Sequence, residues 1–211
     1  MKFSGIYAIT DDELLPGARL LDGSRAALES GIALLQYRSK STNAAQRLEN
    51  ASKLAALCSS FDIPLLINDD VELCRAANAS GVHLGREDGS LLDARERLGS
   101  TAIIGATCHA SIEAALLAEQ HGADYVAFGR FFPSNTKPHA AAAELGMLNL
   151  ARKKLNIPIV AIGGINAQNG ASVIEAGADM LAVIHSLFAY PDIAQRAREL
   201  TALFPRQSAK Q

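Results

Sequence analysis

Residues 65–88 read LLINDDVELCRAANASGVHLGRED, a pattern that predicts a strand, a short helix and a second strand. Two strands joined by a helix within so few residues should lie parallel and adjacent, because parallel pairs need a crossover connection. Acidic pairs follow the two strands, at Asp69-Asp70 and at Glu87-Asp88. Both pairs should therefore meet at the carboxyl edge of the sheet.

Converging carboxylates suit a hard cation such as Mg²⁺, which prefers oxygen ligands and often shares them with a substrate phosphate. A simpler interpretation exists, in which Asp69 or Asp70 caps the following helix and Glu87 and Asp88 form a solvated turn. Taken singly, the residues favour the simpler interpretation. The pattern of the whole chain is needed to decide between the two.

The strand and helix pattern recurs along the chain. Four segments combine a helix end, a glycine suited to the left-handed position and an apolar run, around Gly31, Gly81, Gly122 and Gly177. Further apolar runs alternate with them, at residues 6–9, 63–67, 103–106 and 157–162. All are apolar on both faces, as parallel strands buried on both sides must be. Helices are predicted between them, over segments such as 43–61, 111–121 and 193–204.

Eight strand and helix units in about 200 residues predict an α/β fold of one domain, a compact (β/α)8 TIM barrel. The alternative is an open, doubly wound sheet, but the eightfold count and the internal repeat favour closure. We expect the barrel to span residues 1–204 and a polar C-terminal tail to follow over residues 205–211.

The composition argues against several classes of partner. The chain has a formal net charge of −2 and no cluster of basic residues, so binding to nucleic acid or to an anionic membrane is not expected. No apolar run approaches the roughly 20 residues of a membrane helix, and the N-terminus lacks the apolar core of a signal peptide. Cys58, Cys74 and Cys108 form no C-x-x-C pair, which favours reduced thiols. We expect a cytoplasmic protein that acts on small molecules, with a homo-oligomer possible.

Active sites of TIM barrels lie at the carboxyl ends of the strands, so the residues after each strand are the candidates. After the first strand, Asp11 and Asp12 could bind a ligand, but helix capping is favoured. After the second strand, alternation places Gln36, Arg38 and Lys40 on one face. If that face is the lumen, two cations and an amide point towards a ligand. Otherwise the three residues form a solvated strand end.

The fifth strand ends at Thr107, whose hydroxyl could bind a ligand. The next two residues, Cys108 and His109, have the chemistry of a nucleophile and a base. Adjacent residues of an extended segment point in opposite directions, so packing or capping is favoured for this pair.

The last three strand ends are typical of phosphate binding. A long connection over residues 129–139 carries two hydroxyls and Lys137 between prolines, as expected of an anion-binding lid. Gly163 and Gly164 follow the seventh strand, where barrels commonly bind phosphate through backbone N–H groups. His185 follows the eighth strand and would either contact that phosphate or pack. The edge therefore has room for two phosphorylated ligands and one metal ion.

The segments at these strand ends resemble the thiamine phosphate synthase family. They lie at residues 7–11, 36–40, 66–69, 81–88, 132–137 and 161–165, and the similarity extends to about Phe188. The resemblance implies a TIM-barrel transferase that condenses 4-amino-2-methyl-5-hydroxymethylpyrimidine diphosphate with 4-methyl-5-(2-phosphoethyl)thiazole. Thiamine phosphate and diphosphate would form by Mg²⁺-assisted, dissociative loss of the diphosphate.

The resemblance also implies roles for individual residues. Asp69 and Asp88 would bind Mg²⁺, and the catalytic cations Arg38, Lys40 and Lys137 would stabilise the leaving diphosphate. The pyrimidine diphosphate would contact Gln36, Arg38, Lys40, Asn68, Thr107 and Lys137. The thiazole phosphate would contact Ser134, Thr136, Gly164, Ile184 and His185. Three more residues of the matching segments complete the substrate-binding set: Tyr37, Ser39 and Asn135.

The chain departs from the family pattern at single positions. The family more often has Leu where this chain has Tyr37, Gln where it has Arg86, Ser where it has Thr107, Thr where it has Ser134, and Ser where it has His185. Thr107 and Ser134 keep a hydroxyl group. His185 leaves open whether its side chain or its backbone N–H contacts the thiazole phosphate.

Two other functions remain open on the same fold. A related thiazole tautomerase needs no metal and uses a histidine where His109 stands in this chain. A non-catalytic sensor of a phosphate ligand would have kept the barrel and lost the chemistry. Both are less favoured, because the Gln36, Arg38 and Lys40 group and the acids Asp69 and Asp88 are all present.

Overall fold

Short apolar strands alternate with helices throughout the computed structural model, which describes residues 3–133 and 143–204. The strands are β1 (Gly5–Ile9), β2 (Leu34–Tyr37), β3 (Leu65–Asn68), β4 (Gly81–Leu84), β5 (Ile103–His109), β6 (Tyr125–Gly129), β7 (Ile159–Ile162) and β8 (Met180–Val183). Their residues are almost all buried, as expected of strands covered on both faces.

Helices follow the strands on the outside of the sheet. They are α1 (Arg19–Glu29), α2 (Ala44–Ser59), α3 (Val71–Ala76), α4 (Leu91–Leu98), α5 (Ile112–Gln120), α6 (Gly146–Lys154), α7 (Gly170–Glu175), α8 (His185–Phe188) and α9 (Ile193–Thr201). Side-chain oxygens of Asn43, Ser90 and Ser111 cap α2, α4 and α5, because each accepts a backbone N–H of the first helical turn. None of the described helices is long and apolar enough to cross a membrane.

The sheet closes on itself, which excludes the open, doubly wound alternative. Every strand pairs in parallel with its neighbours in sequence, and β1 pairs with β8 through Gly5–Met180 to Ala8–Val183. The predicted single-domain (β/α)8 TIM barrel is therefore confirmed. Closure places all eight carboxyl ends on one rim, where the sequence predicts the ligand sites.

Two apolar layers hold the barrel together. The larger lies between the strands and the helices and includes Leu35 and Tyr37 of β2. The smaller fills the lumen, with Leu34 of the same strand, Leu66 and Val160. Alternation along β2 therefore directs Leu34 and Gln36 inwards and Tyr37 outwards.

The opposite, amino-terminal rim carries two copies of one ionic clamp. In the first, Arg95 of α4 contacts Asp124, which accepts the backbone N–H of Ile104 at 2.7 Å. In the second, Arg152 of α6 contacts Asp179, which accepts the backbone N–H of Ile159 at 2.8 Å. Each clamp joins the starts of two neighbouring strands, β5 with β6 and β7 with β8.

We expect Asp179→Ala to lower the free energy of unfolding by about 2 kcal/mol, because it removes the carboxylate partner of Arg152 and leaves the buried N–H of Ile159 without its acceptor. Urea unfolding followed by circular dichroism measures this loss. The control is Glu49→Ala, which removes an exposed carboxylate paired with Lys53 and should cost at most about 0.5 kcal/mol. Equal losses in the two variants would contradict a stabilising role for the clamp.

Candidate active site

A cavity of about 330 Å³ opens at the carboxyl rim of the barrel. Its floor and walls come from strands around the whole circle, including Gln36 of β2, Thr107 of β5 and Ile162 of β7. The loops after β7 and β8 form one side of its mouth, and Arg38 and Asn68 lie on the side of β2 and β3. The cavity is thus at the place where the sequence predicts ligand binding.

Gly163 and Gly164 line the mouth of this cavity and adopt positive φ angles of 104° and 64°. A Cβ on Gly164 would lie 2.3 Å from the carbonyl oxygen of Pro133, and one on Gly163 would lie 2.2 Å from Cβ of Arg130. Both the backbone conformation and the close approach of the loop after β6 therefore require glycine. Neither glycine places a side chain of its own between its backbone and the cavity.

The loop after β8 completes this side of the cavity. Ile184, His185 and Ser186 line it together with the two glycines. His185 is exposed and begins α8, whereas the Oγ atom of Ser186 is buried and has no hydrogen-bond partner within residues 3–133 and 143–204. Ser186 was not among the predicted site residues. The family more often has Ser at position 185, and the hydroxyl of Ser186, one position later, could take the place of that side chain.

A second, more open cavity adjoins the first at Asn68, which lines both. Asp69 and Asp88 line it, as do Ser39 and Lys40. The two predicted metal ligands therefore face the same space as one of the predicted cations. Among the described residues, no group of three or more His, Cys, Asp or Glu side chains could hold a metal ion by itself.

Local hydrogen bonds fix the residues around the second cavity. Oδ2 of Asp88 accepts the backbone N–H of Gly85 at 2.8 Å, and Oδ2 of Asp12 accepts the backbone N–H of Lys40 and the Oγ of Ser39 at 2.7 and 2.9 Å. Asp12 therefore positions the end of β2, a role that the capping interpretation of this residue missed. Its neighbour Asp11 does form a capping turn, and it also lies 3.7 Å from the guanidinium of Arg38.

The structure separates the roles of Asp69 and Asp70. Asp70 caps α3 by accepting the N–H of Leu73 at 2.8 Å, and its other oxygen pairs with Arg47 at 2.6 Å. The capping interpretation is thus correct for Asp70. Asp69 has a positive φ of 63° and accepts a hydrogen bond from the Asn68 amide. That backbone conformation turns the chain sharply between the strand and the helix cap.

Most predicted substrate residues face one of the two cavities. Gln36, Arg38, Asn68, Thr107, Gly164, Ile184 and His185 line the first cavity, and Ser39, Lys40 and Asn68 line the second. Tyr37 lines neither, because its side chain is only 2% exposed and packs between the barrel and the helices. Ser134, Asn135, Thr136 and Lys137 lie outside the described residues.

The cavity also contains residues that the sequence analysis did not single out. Arg130, Asn166, Gln168 and Tyr190 line its mouth, and Tyr7 and His83 lie at its floor. Arg130 directly follows β6, and Asn166 lies in the loop after β7, so their positions after strands could have indicated them. Tyr7 and His83 lie inside apolar strands and gave no such signal.

Cys108 and His109 point to different sides of the barrel wall, as their adjacency predicts. His109 lines the cavity, whereas Cys108 packs in the outer core. Burial raises the pKa of the Cys108 thiol to about 12, although Arg86 lowers it. Burial likewise raises the pKa of Cys58 to about 12 and that of Cys74 to about 11. All three thiols stay protonated at neutral pH and are poor nucleophiles.

We expect the folded protein to resist alkylation by iodoacetamide at pH 8, because at most about one thiol in a thousand is ionised when its pKa is 11 or higher. Mass spectrometry should find no rapid adduct on the native protein and three adducts after unfolding in urea. Rapid, selective labelling of Cys108 in the native state would show a reactive thiol beside the cavity.

Comparisons with known proteins identify the family of the chain. A sequence model of the family described as thiamine monophosphate synthase matches residues 6–187. The thiamine-phosphate synthase of Saccharophagus degradans is 53% identical over 95% of this chain and 93% of its own length. That of Thiobacillus denitrificans is 50% identical over 95% of this chain and 94% of its own.

A solved structure agrees as well. Thiamine phosphate pyrophosphorylase from Pyrococcus furiosus superposes with a TM-score of 0.86 at 35% identity, covering 94% of each chain. The match to the sequence model and the identity to the relatives both extend over nearly the whole barrel. The chain belongs to the thiamine monophosphate synthase family.

Proposed function

We propose that the chain condenses 4-amino-2-methyl-5-hydroxymethylpyrimidine diphosphate with 4-methyl-5-(2-phosphoethyl)thiazole to give thiamine phosphate and diphosphate. The observation that carries the proposal is the pair of adjoining cavities, which meet at Asn68. One is lined by Lys40 and by the predicted metal ligands Asp69 and Asp88, and the other has a glycine-lined mouth. Two phosphorylated substrates can therefore bind side by side with their reacting atoms at the junction.

The diphosphate of the first substrate would occupy the open cavity. Asp69 and Asp88 fit Mg²⁺ there, since this ion commonly takes one or two protein carboxylates and completes its shell with phosphate oxygens and water. When bound, Mg²⁺ would neutralise negative charge on the leaving diphosphate. Lys40 lines the same cavity and Arg38 lines the adjoining one, so both cations can stabilise that charge as it develops.

The reaction needs no nucleophile or base from the protein. The bond between the pyrimidine methylene carbon and the diphosphate oxygen breaks, and its electron pair leaves with the oxygen. The resulting pyrimidine cation is stabilised by resonance, and the thiazole nitrogen donates its lone pair to form the new C–N bond. Gln36 and Thr107 hold the pyrimidine ring, and the closed lumen beneath it excludes water that would trap the cation.

The thiazole phosphate would bind at the mouth formed by the loops after β7 and β8. Gly164 offers backbone without a side chain, and Ile184, His185 and Ser186 line the same side of the mouth. Ser134, Asn135, Thr136 and Lys137, outside the described residues, are proposed as further contacts of the two phosphate groups because they match the family pattern. The free cysteines suit the reducing cytoplasm, where we place this reaction.

The tautomerase alternative rests on one observation, the presence of His109 in the first cavity. It would leave the carboxylates and Lys40 of the second cavity without a role. The relatives with 53% and 50% identity are named as synthases, which further supports the condensation.

We expect purified protein to form thiamine phosphate from the two substrates with Mg²⁺ and to form none with excess EDTA. Oxidation to fluorescent thiochrome measures the product. Restoration of activity by added Mg²⁺ after EDTA treatment is the control for irreversible damage. Product formed equally well in EDTA would contradict the metal assignment, and no product in either tube would favour the tautomerase or the sensor.

We expect Asp69→Asn to lower kcat/KM by about 100-fold or more, since even the loss of a group that supports a metal ligand commonly costs 10–100-fold. Its half-maximal Mg²⁺ concentration should rise, and calorimetric binding of the thiazole phosphate should remain. Asp70→Asn is the matched control, because Asp70 is adjacent but is engaged by Leu73 and Arg47. Equal loss of activity in both variants would contradict a specific metal role for Asp69.

A further inference from the structure

Five side chains form one continuous hydrogen-bonded chain beneath the first cavity. Nε2 of Gln36 donates to the hydroxyl of Tyr7 at 2.5 Å, and the Tyr7 and Tyr125 hydroxyls lie 2.8 Å apart. The Tyr125 hydroxyl lies 2.8 Å from Nδ1 of His83, and Nε2 of His83 lies 2.8 Å from Oγ1 of Thr107. The chain crosses the lumen from β2 to β5 through β1, β6 and β4.

The middle of this chain is buried and closely packed. Tyr125 is 0% exposed, meets the Tyr7 ring edge to face at 5.8 Å and stacks on His83 at 5.6 Å. Gly105 makes room for it, because a Cβ there would lie 2.0 Å from Cζ of Tyr125. Burial raises the pKa of both phenols well above its usual range, so each hydroxyl keeps its proton. Rotation out of the chain would leave a buried polar group without a partner.

The count of protons fixes the direction of the chain. Tyr7 accepts the Gln36 amide, and the Tyr125 oxygen is the only acceptor for the buried Tyr7 proton among the described hydrogen bonds. Tyr125 can then donate only to Nδ1 of His83, which must be unprotonated. A neutral imidazole carries its proton on the other nitrogen, so Nε2 donates to Oγ1 of Thr107. Within the chain, Tyr7, Tyr125 and His83 each accept one bond and donate the next.

We propose that Tyr7, Tyr125 and His83 are positioning residues that form a relay of fixed direction. The relay makes Gln36 present its carbonyl oxygen, and Thr107 its hydroxyl proton, to the same ligand. The two residues both line the first cavity, at opposite ends of the relay. Removal of the Tyr125 hydroxyl would free both Gln36 and Thr107 to change their hydrogen-bonding roles, although Tyr125 itself does not line the cavity.

A ligand that satisfies both ends needs one donor and one acceptor. An amino group would donate to the carbonyl oxygen of Gln36, and an unprotonated ring nitrogen would accept from the hydroxyl of Thr107. An aminopyrimidine carries both groups on one planar ring. This part of the inference rests on the proposed function, whereas the direction of the relay does not.

The direction is tested by NMR on protein labelled with ¹⁵N-histidine, in which the two neutral tautomers differ in their ring ¹⁵N shifts. The His83 signals are those lost in His83→Asn among the five histidines of the chain. We expect one tautomer, protonated at Nε2. Protonation at Nδ1 or at both nitrogens would overturn the relay, and this result needs neither turnover nor a folded Tyr125 variant.

The positioning role is tested with Tyr125→Phe. The His83 tautomer should become mixed, and KM for the pyrimidine diphosphate should rise about tenfold, as for the loss of one hydrogen bond. KM for the thiazole phosphate and kcat should stay within about twofold. A merely structural defect would instead lower kcat or affect both substrates.

The matched control is Ser24→Ala, which also removes a buried hydroxyl, but one that has no hydrogen-bond partner among the described residues and lies in α1, away from both cavities. It should change neither the tautomer nor either KM. An unchanged pyrimidine KM in Tyr125→Phe would overturn the positioning role. If the wild type forms no product while its His83 is protonated at Nε2, the proposed function fails and the relay stands.

Discussion

The parallel hydrogen bonds between β1 and β8 are the constraint on which the rest of the structure depends. They close the sheet, so no strand has an unpaired edge and all carboxyl ends lie on one rim. Residues far apart in sequence, such as Asn68, Thr107 and His185, can then line one cavity. On the opposite, amino-terminal rim, the two ionic clamps hold neighbouring strands together.

Closure also creates a lumen, and the residues that fill it change from apolar to polar along the barrel axis. Leu34, Leu66 and Val160 fill its lower part with apolar atoms. Above them, the buried chain from Gln36 to Thr107 replaces apolar packing by paired polar groups. The floor of the cavity can therefore bind a polar ring without exposing an unsatisfied group in the core.

Much of the fold and of the site could be predicted from short patterns. The repeat of strand, helix and glycine predicts the barrel, and alternation along β2 correctly directs Gln36 into the lumen. Alternation also directs Tyr37 outwards, so its place among the predicted substrate residues rests on the family resemblance alone. Both Asp69 and Asp70 precede a helix, and only the backbone angles and the bonds to Leu73 and Arg47 distinguish them.

The buried relay could not be predicted, because its members come from five strands and depend on register. Tyr7 and Tyr125 lie in apolar runs that read as core, and nothing local indicates that their hydroxyls meet. The information that would have indicated the relay lies in pairs of residues that face each other on neighbouring strands. Gly105 is directly opposite Tyr125 in the β5 and β6 ladder, and its missing side chain is the space that the phenol needs.

The two ionic clamps on the amino-terminal rim have a consequence for how the chain can change over evolutionary time. They join β5 with β6 and β7 with β8 at the end of the barrel opposite the two cavities. Loops on the other rim can then lengthen, shorten or exchange side chains while the ends of the strands stay fixed. A descendant of this chain could acquire a new substrate without first acquiring a new source of stability.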